Sequence, residues 1–222
     1  MNKFLILLTF FILLSGCVTT EPVGKMEAFP KMYNERPLSI AVVPAINNTT
    51  AADATDLLST TIAQPLSEAG FYVVPVPYIN HVLTLEGITD GAQLKSVPLE
   101  KFNQIFGADA VLFVTIDQWD TSYLVTSANV TVGLKFELIS TKTNEYLWQH
   151  ESVIVKDTTG KNSNGLLLQI IATAISTVMT DYVPIAREVN QRILYTIPLG
   201  KYHPRHGMDG NDKSGRFKEV ER

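Results

Sequence analysis

From Asn129 to Ile139 apolar and polar residues alternate without a break. Val130, Val132, Leu134, Phe136 and Leu138 fall on one side of an extended chain, and Thr131, Gly133, Lys135 and Glu137 on the other. A period of two marks a β-strand with one face in a core. Thr141-Lys142-Thr143-Asn144 then reads as a hairpin turn, and Glu145 to Val155 as the returning strand. Shorter apolar runs rich in β-branched residues predict buried strands at Leu38–Pro44, Phe71–Pro75 and Ala110–Ile116.

Helical spacing separates these runs. Leu57, Leu58, Thr61, Ile62, Pro65, Leu66 and Ala69 share a face of a helix predicted over 52–69, which Pro65 should kink or divide and Gly70 should stop. A short helix is expected at 78–86, with Ile79, Val82 and Leu83 inward, then a loop over 88–97. Pro98 suits the first turn of a helix to Phe106 that buries Leu99, Phe102, Ile105 and Phe106. Residues 165 to about 195 read as a long helix with Leu167, Ile171, Ala174, Ile175, Val178 and Tyr182 as its stripe, kinked at Pro184; polar residues within it argue for a core helix and against a membrane span. The order predicts an α/β fold of two or three layers, a mixed β-sheet flanked by helices.

The first residues follow another pattern. Met1-Asn2-Lys3 carries a positive charge, and the run from Phe4 to Leu14 is apolar apart from Thr9. That run is too short to span a bilayer and has the length of a signal-peptide core. Leu14-Ser15-Gly16-Cys17 follows, the lipobox arrangement in which small residues precede a thiol that accepts a diacylglyceryl group. Residues 1–16 are therefore expected to be a cleaved signal peptide and Cys17 a lipidated N-terminus. Stable anchoring takes more than one acyl chain, and lipoprotein maturation supplies three. The pathway implied by the lipobox sorts on the next residue, where Val18 points to the outer membrane.

Composition narrows the rest. The chain has 222 residues, a net charge of −4 and one cysteine, so internal disulfides are excluded. No basic stripe suggests nucleic acid. Residues 17–36, with Pro22, Gly24 and Pro30, read as a lipidated tether, 37–200 as one periplasmic domain, and the polar, glycine-containing 201–222 as a flexible tail.

Candidate chemistry is sparse. No phosphate loop, His-Glu-x-x-His or Gly-x-Ser-x-Gly occurs, so no catalytic residue, metal site or cofactor is assigned. Asp117, Trp119 and Asp120 stand at the predicted end of a buried strand, where two carboxylates could do acid–base work or simply form a turn. His81 and His150 read as surface or core histidines, and His203 and His206 as a solvated pair in the tail. Trp119 and Trp148 suit either recognition or core. Asn47-Asn48-Thr49-Thr50 before a helix could hold an anion. The hairpin of 129–155 has the alternation of an outer-membrane strand pair, which a water-facing soluble sheet shares.

Several stretches resemble a Gram-negative lipoprotein family catalogued as domain of unknown function 799, which includes a neisserial vaccine-candidate lipoprotein. They are Phe29-Pro30-Lys31-Met32-Tyr33, Arg36-Pro37, Ile40–Pro44, Pro65–Val73 and Phe106–Leu112. The resemblance implies an outer-membrane lipoprotein with a fold like the TolB N-terminal domain and the periplasmic core of CsgG-type and PelC lipoproteins. It also implies a CsgG-like lipoprotein as partner and the possibility of homo-oligomers. It supplies no catalytic residues. The function expected is a non-enzymatic binding or assembly component of the envelope; the alternatives are a secretion-channel subunit or accessory, or an envelope hydrolase.

Overall fold

A computed structural model of the chain describes residues 23–124, 127–157, 183–215 and 219–221. Its centre is a seven-stranded mixed sheet. The strands are β1 (Ser39–Val42), β2 (Ile46–Asn47), β3 (Tyr72–Val73), β4 (Ala110–Leu124), β5 (Ser127–Ser140), β6 (Tyr146–Asp157) and β7 (Glu219–Glu221). They lie in the order β3-β1-β4-β5-β6-β7, with β2 beside β4. β3, β1, β2 and β4 run parallel, β4–β5–β6 form an antiparallel meander, and β7 is parallel to β6. Parallel neighbours need crossovers, and helices supply them: α3 (Ala54–Glu68) between β1 and β3, then α4 (Val76–Leu85), a 3-10 turn at Gly91–Ser96 and α5 (Glu100–Phe106) before β4. Two short helices, α1 (Lys25–Ala28) and α2 (Pro30–Glu35), precede the sheet, and α6 (Val183–Leu194) follows the meander.

β1 is buried on both faces because both are covered. On one face Leu58, Ile62 and Leu66 of α3 and Val189 and Ile193 of α6 pack on Ile40, Val42, Leu112, Phe136, Leu138 and Trp148. On the other, Ile79, Leu83, Leu94 and Phe102 pack on Ala41, Val43, Val111 and Phe113. The expected layers and the mixed sheet are therefore present. The alternation also lands as predicted: Val130, Val132, Leu134, Phe136 and Leu138 all join the first core, while Lys135 and Glu137 pair at 2.7 Å on the opposite face.

Four expectations are corrected. α3 runs through Pro65 as one element, with that proline buried among the core residues on either side of it. Ile105 is 57% exposed; Phe102 and Phe106, one turn apart, share the inner face instead, their rings 5.8 Å apart. The loop at 88–97 contains the 3-10 turn, started by Asp90 and Gln93 in a reciprocal capping box. β4 does not stop at Ile116 but continues to Leu124, with a register shift between Ile116 and Gln118. Asp117 and Gln118 are both exposed. The bulge absorbs the extra residue and returns Trp119 to the core face opposite Val132. Gly133, opposite Gln118, leaves room for it: a Cβ there would lie 3.1 Å from that side chain.

The segments read as tether and tail are corrected as well, within the described residues. Lys25–Ala28 and Pro30–Glu35 are helical, Gly24 bridges to Lys213, and 199–215 pack against this segment. Residues 1–22, which include the lipobox and Cys17, and 158–182, most of the long predicted helix, lie outside the described residues. No described helix is long and apolar enough to cross a membrane.

Candidate functional site: a clasp between the chain ends

Residues 23–26 lie antiparallel to residues 210–214. The Lys25 amide donates to the Asp212 carbonyl at 2.9 Å, Met26 N–H to Gly210 O at 3.0 Å and Ser214 N–H to Val23 O at 3.0 Å. The C-terminal segment in turn rests on the end of α3, where Gly200 N–H donates to Ala69 O at 2.8 Å and Tyr202 N–H to Gly70 O at 3.0 Å. Gly70 has a φ of +90°, which favours glycine.

Lys25 is the pin of this clasp. Only 4% exposed, its ammonium donates to the Tyr195 carbonyl at 3.0 Å and the Ile197 carbonyl at 2.9 Å beyond α6, and lies 5.6 Å from the centre of the Tyr195 ring. Burial pulls its pKa below the ordinary lysine value, while the Asp209 and Asp212 carboxylates oppose that shift. Asp209 is fully buried and accepts the Leu199 amide at 2.8 Å. The Tyr33 hydroxyl sits beside Asp209; burial first, and that negative charge second, hold the phenol well above its usual range. Tyr33 Oη and Asp209 Oδ1 are each buried without a well-formed hydrogen bond. Arg205 pairs with Asp212 at 3.0 Å on the outside. A cleft of about 350 Å³ remains here, lined by Lys25, Glu68, Gln191, Tyr195, His203 and Arg205 among others. Its charges are mixed, with no single ligand class favoured.

Sequence reasoning missed Lys25, Asp209 and Tyr33, because a lysine and an aspartate in glycine-containing polar segments look solvated. The spaced Gly200, Gly207 and Gly210 were the available signal of a compact turn structure.

The residues singled out earlier do not converge. Asp117 and Asp120 are exposed on β4, and Asp117 accepts from the Asn48 amide at 2.8 Å. His150 is buried on β6, two strands away, stacked on Trp148 at 6.2 Å. Asp120 pairs with Thr131, on the opposite face from the core positions. The strand-end turn expected at 117–120 is therefore the middle of a strand, and Trp119 and Trp148 are core residues. His81 lines a shallow hollow between α3 and α4. His203 accepts the Arg205 amide at 3.0 Å and His206 meets the Leu199 carbonyl at 2.9 Å, so the supposed solvated pair braces the clasp loop. No metal-ligating cluster occurs among the described residues. In the Asn47–Thr50 loop, Asn47 Oδ1 already accepts Thr49 N–H at 2.9 Å and its amide donates to Ala51 O at 2.7 Å. Asp53 then precedes α3, which suits the helix dipole and not an external anion.

Asp109 ties the same end of the sheet together. One carboxylate oxygen accepts the Leu38 amide at 3.0 Å and the Ser39 hydroxyl at 3.2 Å; the other meets Lys142 at 2.9 Å. Burial alone would raise its pKa, but Lys142 and the Leu38 and Ser39 backbone amides outweigh this and hold it below the ordinary aspartate value. A depressed carboxylate stabilises the fold above its unfolded pKa, and that contribution disappears as pH falls through the folded value. Asp109→Asn should therefore lose about 1–3 kcal/mol at neutral pH, read as a lower urea midpoint. The gap to wild type should close below about pH 4; a gap that persists in acid would contradict this role.

Comparison with known proteins gives a consistent result. The family model described as "Putative lipoprotein GNA1162-like" matches residues 28–198. A curated relative, "Putative lipoprotein NMB1124/NMB1162" of Neisseria meningitidis serogroup B (strain ATCC BAA-335 / MC58), is 30% identical over 193 residues, covering 87% of each chain. The crystal structure of lipoprotein GNA1162 from Neisseria meningitidis aligns with a TM-score of 0.53 at 35% identity, over 63% of this chain and 96% of that one. The PelC dodecamer from Paraburkholderia phytofirmans aligns at 0.41 and 17% identity over 72% and 86%, too slight a likeness to carry an assembly state across.

Proposed function

Because the chain belongs to the GNA1162-like lipoprotein family, we propose that it is a non-enzymatic component of the cell envelope, held at the outer membrane by lipid on Cys17 and acting by binding another envelope protein. The observation that carries this reading is the clasp. Val23, six residues after Cys17, is fixed at one end of the sheet by its bond to Ser214, so a lipid there would hold the whole domain by that end. The hairpin of β4 and β5 points the other way. Fifteen residues of β4 span roughly 45–50 Å, which carries the hairpin end well into the periplasm.

A CsgG-like lipoprotein is the partner we favour, through the family resemblance. Cys17→Ala should move the protein from the membrane pellet to the soluble fraction; a variant that remained acylated and membrane-bound would refute the anchor. Crosslinking in cells followed by co-purification tests the binding role, which fails if no envelope protein is retrieved. The long hairpin favours a second reading, a secretion-channel accessory that meets a ring with its β4–β5 end. Uniform monomers of the full chain in electron microscopy would count against it.

A further inference from the structure

We propose that the clasp end of the domain rests directly on the lipid surface, so that the anchor sets an orientation as well as a location. Ten large hydrophobic side chains are conspicuously exposed among the described residues, and five of them, Val23, Met26, Tyr195, Tyr202 and Met208, belong to the clasp or to the end of α6 against it. Tyr195 is 82% exposed, Met208 72% and Tyr202 65%. Tyrosine at a membrane–water boundary keeps its ring among the acyl ends and its hydroxyl in water.

The tether length argues for the same occupant. Val23 lies six residue steps after Cys17, and at no more than about 3.6 Å per step they reach about 22 Å. That cannot carry the clasp far from the headgroup layer. Charge points to a lipid surface that need not be anionic. On the surface of 201–213 Lys201, Arg205 and Lys213 stand against Asp212, since Asp209 is buried near Lys25, a small positive balance that gives little long-range attraction. The contact is therefore secondary to the anchor: one or two tyrosines and a methionine bind weakly alone but well once tethered.

This inference rests on the lipidation of Cys17, and the test separates the two. Cys17 is the only cysteine, so when it is acylated the full chain carries no free thiol. Tyr202→Cys, Met208→Cys and, as control, Asp120→Cys on the outer part of β4 are each labelled with an environment-sensitive fluorophore. The lipidated full-length proteins are placed in phosphatidylethanolamine/phosphatidylglycerol vesicles and quenched with iodide. Labels at 202 and 208 should be quenched about fivefold less than the label at 120 and show blue-shifted emission, with little change when the phosphatidylglycerol is omitted. Equal quenching at all three positions, in protein that floats with the vesicles, would overturn the proposal while leaving the anchor standing. Labelling of the unsubstituted chain would show a free Cys17, and both the anchor and this proposal would fall.

Discussion

Gly200→Ala is expected to open the clasp and to be among the most destabilising single-methyl changes in the chain. A Cβ at Gly200 would stand 2.3 Å from the Gly70 carbonyl oxygen and 2.7 Å from the Gly70 carbonyl carbon, so the obstruction is backbone and cannot rotate away. Relief requires the two segments to part, which breaks the hydrogen bonds from Gly200 to Ala69 and from Tyr202 to Gly70. Overpacking of about 1–3 kcal/mol plus two hydrogen bonds at about 1 kcal/mol each sets the loss at about 3–5 kcal/mol. Urea unfolding measures it, and limited proteolysis should cut first within 199–215. Gly207→Ala is the control. Its φ of +75° carries the strain of a positive-φ alanine, but nothing lies within 4 Å of the added carbon, so it should cost only about 1 kcal/mol. Equal losses for the two variants would show that the backbone contact at Gly70 is not what matters.

The second large effect is expected at Lys25. Lys25→Met keeps most of the stem but removes the ammonium, leaving the Tyr195 and Ile197 carbonyls without their donor and the buried Asp209 without its nearby cation. Removing one member of a buried charged group costs about 3–5 kcal/mol. Asp209→Asn in the same background should recover part of that, because it removes the charge left behind; strictly additive losses would mean the two groups do not interact. The alkaline limb offers a second reading. With the folded pKa of Lys25 below 10.5, the unfolded chain binds more protons in that interval, so wild-type stability rises with pH there. In Lys25→Met this rise should be missing. Tyr33, raised in the folded state, works in the opposite sense above about pH 10, which confines the useful window to the interval below it.

What could be read from the residues was whatever repeats. The period of two in β5, the apolar face of α3 and the buried run of β1 each depend on neighbours in sequence, and all three are where they were expected. The bulge in β4 was hidden because two successive polar residues look like an exit from the sheet; only the pairing of Gln118 with Gly133 shows that the strand continues. The clasp was hidden for a different reason. Much of its stability comes from single contacts across 130 or more residues, such as Lys25 to Tyr195 and Gly200 to Ala69, and no local period announces those. The missed residues are polar types whose burial is tolerable only because distant carbonyls and carboxylates meet them.

The order in which the chain is made gives the clasp a further meaning. β1, α3 and β3 contact one another within a short stretch and can begin to assemble early, but Lys25 has no partner until residues 195–212 have been delivered. Closing so long a loop is slow. With Cys17 lipidated as proposed, a chain emerging from its N-terminus would be attached by its first residues before that end could be sealed. The last step of folding would then take place beside the membrane, and a product truncated before residue 195 would remain open there, with the Lys25 ammonium lacking both of its carbonyl acceptors.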